Sequence, residues 1–260
     1  MTCSPSWRLA PHRAVMPHMV ARRLLLAAAL LPAAPARAAT TTIRLRPRGP
    51  RLTIAARIEA HPTAREALAI AFAGPGAPAE RVLLPSWYGR ARVLSALPIS
   101  GREVLVAAFE GNRGTGLYQE LLAVIGTDDA GRLRVLAIET LSFRDQQTSA
   151  GWRRMSGRLE AEQGHAGLRL SMSSTARLPR TPPGPTPGPE RRESWTTRLV
   201  WGGDGPLRPA APTPPRASAL RRRVDAARDK VMALLASPVT DATGLDFDEA
   251  GLWAVGYAIT

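Results

Sequence analysis

The chain has 260 residues, 35 Lys and Arg against 21 Asp and Glu, a formal charge of +14, and one cysteine, Cys3. A single cysteine excludes an intrachain disulfide framework, thiolate metal clusters and iron–sulfur centres, so stability has to come from a hydrophobic core. Five arginines and no acids fall in the first 38 residues, which leaves +9 for the remainder; Lys230 is the sole lysine, and the basic residues are spread along the chain. Scattered arginine with abundant Ala, Pro and Gly is what a GC-rich genome yields, and it outlines no nucleic-acid footprint.

The first 38 residues have the order of a secretory signal peptide: Arg22-Arg23, an apolar run from Leu24 to Leu31, then Ala36-Arg37-Ala38 before Ala39. The apolar run is too short to span a bilayer, which takes about 20 residues, so cleavage is expected and no transmembrane segment remains afterwards. Arg22 to Leu26 also resembles a twin-arginine signal, and Met16 or Met19 are alternative starts to Met1. The expected location is therefore periplasmic or secreted in a bacterium, with residues 39–260 as a single β-rich domain.

From Thr42 onward the hydrophobic period is two. Ile43 and Leu45 alternate with arginines, and Leu52 to Ile58 continues the pattern after a Pro47–Pro50 turn. Ala67 to Ala73 reads as a strand ended by Gly74-Pro75-Gly76, and Val82–Leu84 and Val93–Leu97 flank Pro85-Ser86-Trp87-Tyr88-Gly89. Glu103 to Phe109 predicts a strand, followed by a Glu110–Gly116 loop. The centre of the sheet is then Leu117 to Phe143, two apolar arms joined at Asp128-Asp129-Ala130-Gly131. Apolar residues at odd and even positions there mean that both faces are covered.

A polar stretch, Arg144 to Ala150, is expected to turn the chain into a second hairpin with one wet side, carrying Met155, Gly157, Leu159 and Ala161 against Leu168, Leu170 and Met172. Proline-rich loops are expected at 179–191 and 206–215, flanking a strand that sets Trp195, Thr197, Leu199 and Trp201 on one face. The period then changes to 3.6: Leu220, Val224, Ala227, Val231, Leu234 and Leu235 form a stripe opposite Arg222, Asp225 and Asp229, with Thr213 or Ser218 as cap and Ser237-Pro238 as stop. Leu245–Phe247, an acidic turn and a final strand Leu252–Ile259 close the chain.

The expectation is a mainly β, antiparallel meander forming a curved sheet, sandwich or barrel, with one C-terminal amphipathic helix packed on it and a final strand. This order resembles that of lipocalin-type barrels, which would imply a carrier of an apolar small molecule with Leu122, Val135, Leu159 and Leu170 lining a cavity.

No catalytic signature and no cofactor motif is present. Gly111 to Gly116 is rich in glycine, but it joins two strands and lacks the lysine of a phosphate-binding loop, so it reads as a hairpin tip. Asp246 and Asp248, on a strand with Glu249 and Asp241 near, have the oxygen chemistry for calcium but no EF-hand spacing, and read as an acidic turn. His61 and His165 are the only histidines after the signal; a hydrolase built on either would need a carboxylate and a hydroxyl within hydrogen-bond reach. The leading reading is a non-catalytic envelope domain that binds another envelope protein or an anionic envelope component. Its candidate ligand-binding residues are Asn112, Arg113, Trp87 and Tyr88, with no catalytic residue, metal site or cofactor assigned.

Overall fold

A computed structural model describes residues 42–114, 116–148, 151–177 and 188–253. The leader segment, most of the first proline-rich loop and the expected strand beyond Trp253 lie outside these residues.

The described chain is antiparallel β with one late helix. A small sheet runs β1 (Thr42–Ile43), β2 (Leu52–His61), β3 (Arg65–Ala73), β4 (Val82–Pro85), each hydrogen-bonded to the next. The large sheet holds β5 (Arg92–Ile99), β6 (Arg102–Gly114), β7 (Leu117–Thr127), β8 (Leu133–Thr148), β9 (Gly151–Ala161), β10 (Gly167–Arg177), β11 (Glu190–Val200) and β12 (Arg208–Pro209), also in sequence order. Sequential neighbours throughout are what short turns between alternating strands produce. β4 lies against β6 and β8, and β1 against β6, so the small sheet packs on the middle of the large one. One hydrophobic cluster joins them, including Ile70, Leu84, Phe109, Leu122, Val135 and Leu170.

The large sheet curls without closing. The Ser100 N–H donates to the His165 carbonyl at 2.7 Å, joining the β5–β6 turn to the β9–β10 turn across three intervening strand pairings. The barrel alternative is not realised, because β5 and β12 remain edges. Pro98 interrupts the donors of β5, and Pro209 ends β12 after two residues; a residue without an N–H cannot extend a ladder. The four leucine and valine side chains that a carrier would turn toward a cavity instead belong to the packed cluster or, for Leu159, rest against it.

Two strand boundaries differ from expectation. β6 continues through Gly114, with an irregularity between Glu110 and Arg113, where a loop was expected. β8 continues to Thr148 through the polar stretch, because Ser142 to Asp145 pair with Arg153 to Ser156 of β9. Polar cross-strand partners sustain a ladder as well as apolar ones when one face is wet. Among the described residues the first half of β8 has no strand partner on that side. Its Val135 N–H donates to Val239 O, and its Leu136 carbonyl accepts from Leu207 N–H, both at 2.8 Å.

Helix α1 (Ala219–Leu234) covers this half of β8. Ser218 is the cap, its hydroxyl accepting from Arg221 N–H at 3.1 Å, while Thr213 donates to Asp225 Oδ2 at 2.7 Å. Leu220, Val224, Ala227 and Val231 are buried as the stripe requires, but Leu234 is exposed. Asp225, expected on the wet side, is buried. It pairs with Arg228, whose Nε and Nη2 also grip both oxygens of Glu139 on β8. Burial works against the Arg228 charge, but Glu139 and Asp225 outweigh it and hold the guanidinium above the ordinary arginine range. At the helix C-terminus the fully buried Arg134 donates to the carbonyls of Leu235, Ala236 and Ser237, and to Asp204 O. A cation there satisfies carbonyls that have no intrahelical partner.

After the helix the chain forms a 3-10 turn, Ala242–Gly244, and a run of tight turns to Trp253. Leu245–Phe247 is not a strand, and Asp246 and Asp248 do not share a strand face. The Asp246 carboxylate accepts from the Asp248 and Glu249 N–H groups at 2.9 Å each, which favours the turn over extension.

Candidate functional site

β4 delivers the chain into a tight turn, Ser86 to Gly89, closed by Gly89 N–H donating to Ser86 O at 3.2 Å. Gly89 has φ +69°, a conformation that side chains rarely tolerate. The two central residues, Trp87 and Tyr88, project outward and remain 44% and 56% exposed. Large aromatics left this open on a rigid turn are the informative exception to burial.

The turn is tied to the large sheet through Glu110 of β6. Tyr88 N–H donates to Glu110 Oε2 at 2.7 Å, although Glu110 itself is only 2% exposed. Its second oxygen lies 3.9 Å from Arg90 Nε and 3.8 Å from Arg113 Nη1, beyond hydrogen-bond distance, and has no hydrogen-bond partner. The Arg113 guanidinium stacks over the Tyr88 ring, 4.3 Å from its centroid. Opposite Arg113 in the ladder is Tyr118, whose hydroxyl is pushed above the usual phenol range by burial and by Glu120 and Glu110, with Arg90 and Arg92 opposing.

The C-terminal turns supply the facing wall. Gln119 of β7, fully buried, donates through Nε2 to Leu252 O at 2.8 Å, and its Oε1 has no hydrogen-bond partner. Gly111 lets β6 lie against Gln119, since a Cβ there would sit 2.9 Å from its Cγ. Trp253 is held edge-on to Phe247 at 5.6 Å, and Phe247 packs on Phe109 at 5.8 Å. The result is a cleft of about 460 Å³ lined by Arg65, Trp87, Tyr88, Gly111, Arg113, Asp248 and Trp253.

Three of the four residues singled out from sequence, Trp87, Tyr88 and Arg113, therefore line one cleft, and Asn112 belongs to the same strand. Arg65, Asp248 and Trp253 were not foreseen as their neighbours. Trp195 and Trp201 do not join them: Trp195 is buried in the core, and Trp201 lies under Arg102, 4.9 Å from ring centroid to guanidinium carbon.

The histidines divide. His165 sits exposed on the β9–β10 turn at φ +57°. His61 does meet a hydroxyl and a carboxylate: Nε2 is 3.3 Å from Thr243 Oγ1 and 3.6 Å from Asp241 Oδ2. However, its Nδ1 accepts the N–H groups of Thr63 and Ala64 at 3.3 Å each. An imidazole that accepts through Nδ1 carries its proton on Nε2, so His61 donates toward Thr243, and Thr243 donates to Asp241. That direction closes two turns against each other and leaves His61 facing the hydroxyl as a donor and not as its base.

Among the described residues no three His, Cys, Asp or Glu side chains gather as metal ligands, and no helix is long and apolar enough to cross a membrane. Comparison with known proteins adds no relative from which a role for the cleft could be transferred: no family model, curated protein or solved structure matches the chain.

Proposed function

We propose that this protein is an exported, non-catalytic binding domain of the bacterial envelope, and that the cleft between the Trp87–Tyr88 turn and the β6–β7 tip takes an anionic, hydroxyl-rich ligand of the class of an acidic glycan. Export is supported by the Arg22-Arg23, Leu24–Leu31 and Ala36-Arg37-Ala38 sequence pattern. The observation that carries the ligand class is the Arg113–Tyr88 stack beside the exposed Trp87 ring. Aromatic faces suit the apolar faces of sugar rings, and an arginine pre-positioned on a ring suits a carboxylate. Asp248, on the cleft lining, is an acceptor of the kind that sugar hydroxyls satisfy.

Titration of the purified protein with an oligogalacturonate, followed by tryptophan fluorescence, tests this. A saturable change that weakens with salt, is absent with a neutral maltooligosaccharide, and weakens roughly tenfold in Arg113→Ala supports the reading, since one charge-assisted contact is worth about 1.4 kcal/mol or more. No saturable response to the acidic sugar, or an equal response to the neutral one, sinks it. N-terminal sequencing of the periplasmic protein, expected to begin at Ala39, tests the export half separately.

A further inference from the structure

Among the described residues the outer edge of β2 is barely used. Among the described residues β1 pairs only with Leu52 and Thr53, whereas β3 pairs continuously with Thr53 to His61 on the other side. The stretch Ala55 to His61 contains no proline or bulge, two of the devices that blunt a free edge, and the charges it carries, Arg57 and Glu59, are of opposite sign. Ala55, Ala56, Arg57 and Ile58 are all exposed, Ile58 to 38%. Its charges are Arg57 and Glu59, which share the face turned away from the core and meet at 3.4 Å; Arg81 reaches Glu59 from beyond β3.

We infer that this edge pairs with the same edge of a second copy, antiparallel and two-fold symmetric about Ile58. In that register Arg57 lies opposite Glu59 of the second copy, and Glu59 opposite its Arg57, so the charge match occurs twice. Directly opposed residues of an antiparallel pair point to the same face, so both matches fall on the outer side. Ile58 meets Ile58 on the core side, Ala56 meets Ala60, and Ala55 meets His61. Neighbouring registers lose this: centring on Arg57 sets arginine against arginine, and centring on Glu59 sets glutamate against glutamate. The lengths also agree. The second copy's strand would end opposite Ala55, where Pro62 follows His61, and β1 takes over at Thr53. A two-fold pairing uses one patch on both molecules, so association through the β2 edge closes at two copies.

Sedimentation velocity of the purified protein over a concentration series is expected to show a monomer–dimer equilibrium. Arg57→Glu and Glu59→Arg should each abolish the dimer, and the double charge swap should restore it. A second readout fixes the register. In a Cys3→Ser background, Ile58→Cys brings two thiols together across the axis, at the Cα separation of about 4.5–5.5 Å that a disulfide accepts. Mild oxidation should crosslink it rapidly, and leave Leu94→Cys, exposed on the edge of the other sheet, as monomer. A protein monomeric at every concentration, a double swap that stays monomeric, or crosslinking no faster at position 58 than at 94 would overturn the inference.

Discussion

Glu139 and Glu110 are both 2% exposed, both on strands of the large sheet, and both beside arginines, yet they are finished differently. Both oxygens of Glu139 are held by Arg228, which is equally buried and also held by Asp225. Glu110 spends one oxygen on the Tyr88 N–H and leaves the other without a hydrogen bond, with only the longer ion-pair contacts of the partly exposed Arg90 and Arg113. Burial alone therefore does not separate a structural carboxylate from one beside the proposed ligand cleft. Completeness of its hydrogen bonds does: the first cluster is an anchor, and the second has an acceptor left over.

The sharpest way to break the comparison is to remove one partner of the anchor. Arg228→Ala should cost about 3–5 kcal/mol in chemical denaturation, because it leaves the buried Glu139 without its cation, and Glu139→Ala should cost less, because Asp225 still holds Arg228. Replacing the whole cluster, Arg228→Met with Glu139→Leu and Asp225→Asn, should recover much of that loss, and failure to recover would mean that the cluster does more than fasten α1. Arg134→Ala comes next, at about 3 kcal/mol, since it strands the last carbonyls of the helix under cover.

Acid titration gives a smaller effect of known sign. Burial raises the Asp128 pKa, but hydrogen bonds from Arg132 and the charges of Arg132 and Arg134 more than offset it, and the net shift is downward. Its stabilisation is therefore present above the usual carboxylate range, near pH 4, and is lost as pH falls through the depressed folded value. Asp128→Asn should lower stability at neutral pH and flatten its decline between roughly pH 5 and 2; an unchanged acid slope would contradict this. Smallest of all, Arg113→Ala should lower stability by less than about 0.5 kcal/mol, as expected for a partly exposed charge whose ion pair is longer than a hydrogen bond, while changing ligand response. A large loss of stability there would place the cleft with the anchors.

Periodicity made most of the sheet legible, because β2, β3, β7, β9, β10 and β11 each declare themselves by alternation or by unbroken apolar runs. It failed at β8, where the strand outlasts its apolar half and is carried on by polar partners on β9. Ser218 was readable as a cap from local chemistry. Asp225 was misread as solvent-facing because the residue that buries it, Arg228, is itself drawn inward by Glu139, 89 positions away. The cleft shows the same division. Trp87, Tyr88 and Arg113 stood out by type, but their convergence depends on Glu110 reaching a backbone N–H in the turn after β4, and Trp253 and Asp248 arrive through turns more than 130 residues later. No local pattern encodes such meetings.

The unpartnered half of β8 also sets an order of events. Val135 and Leu136 complete their backbone pairing with Val239 and Leu207, and Arg134 with residues 235 to 237. A chain emerging N-terminus first therefore holds its central strand with a bare edge, a naked guanidinium and a lone carboxylate until about a hundred further residues exist. Long-range closure of this kind is slow and leaves the half-made sheet open to wrong pairing, so the protein is expected to fold late and all at once, with the helix as its final clasp.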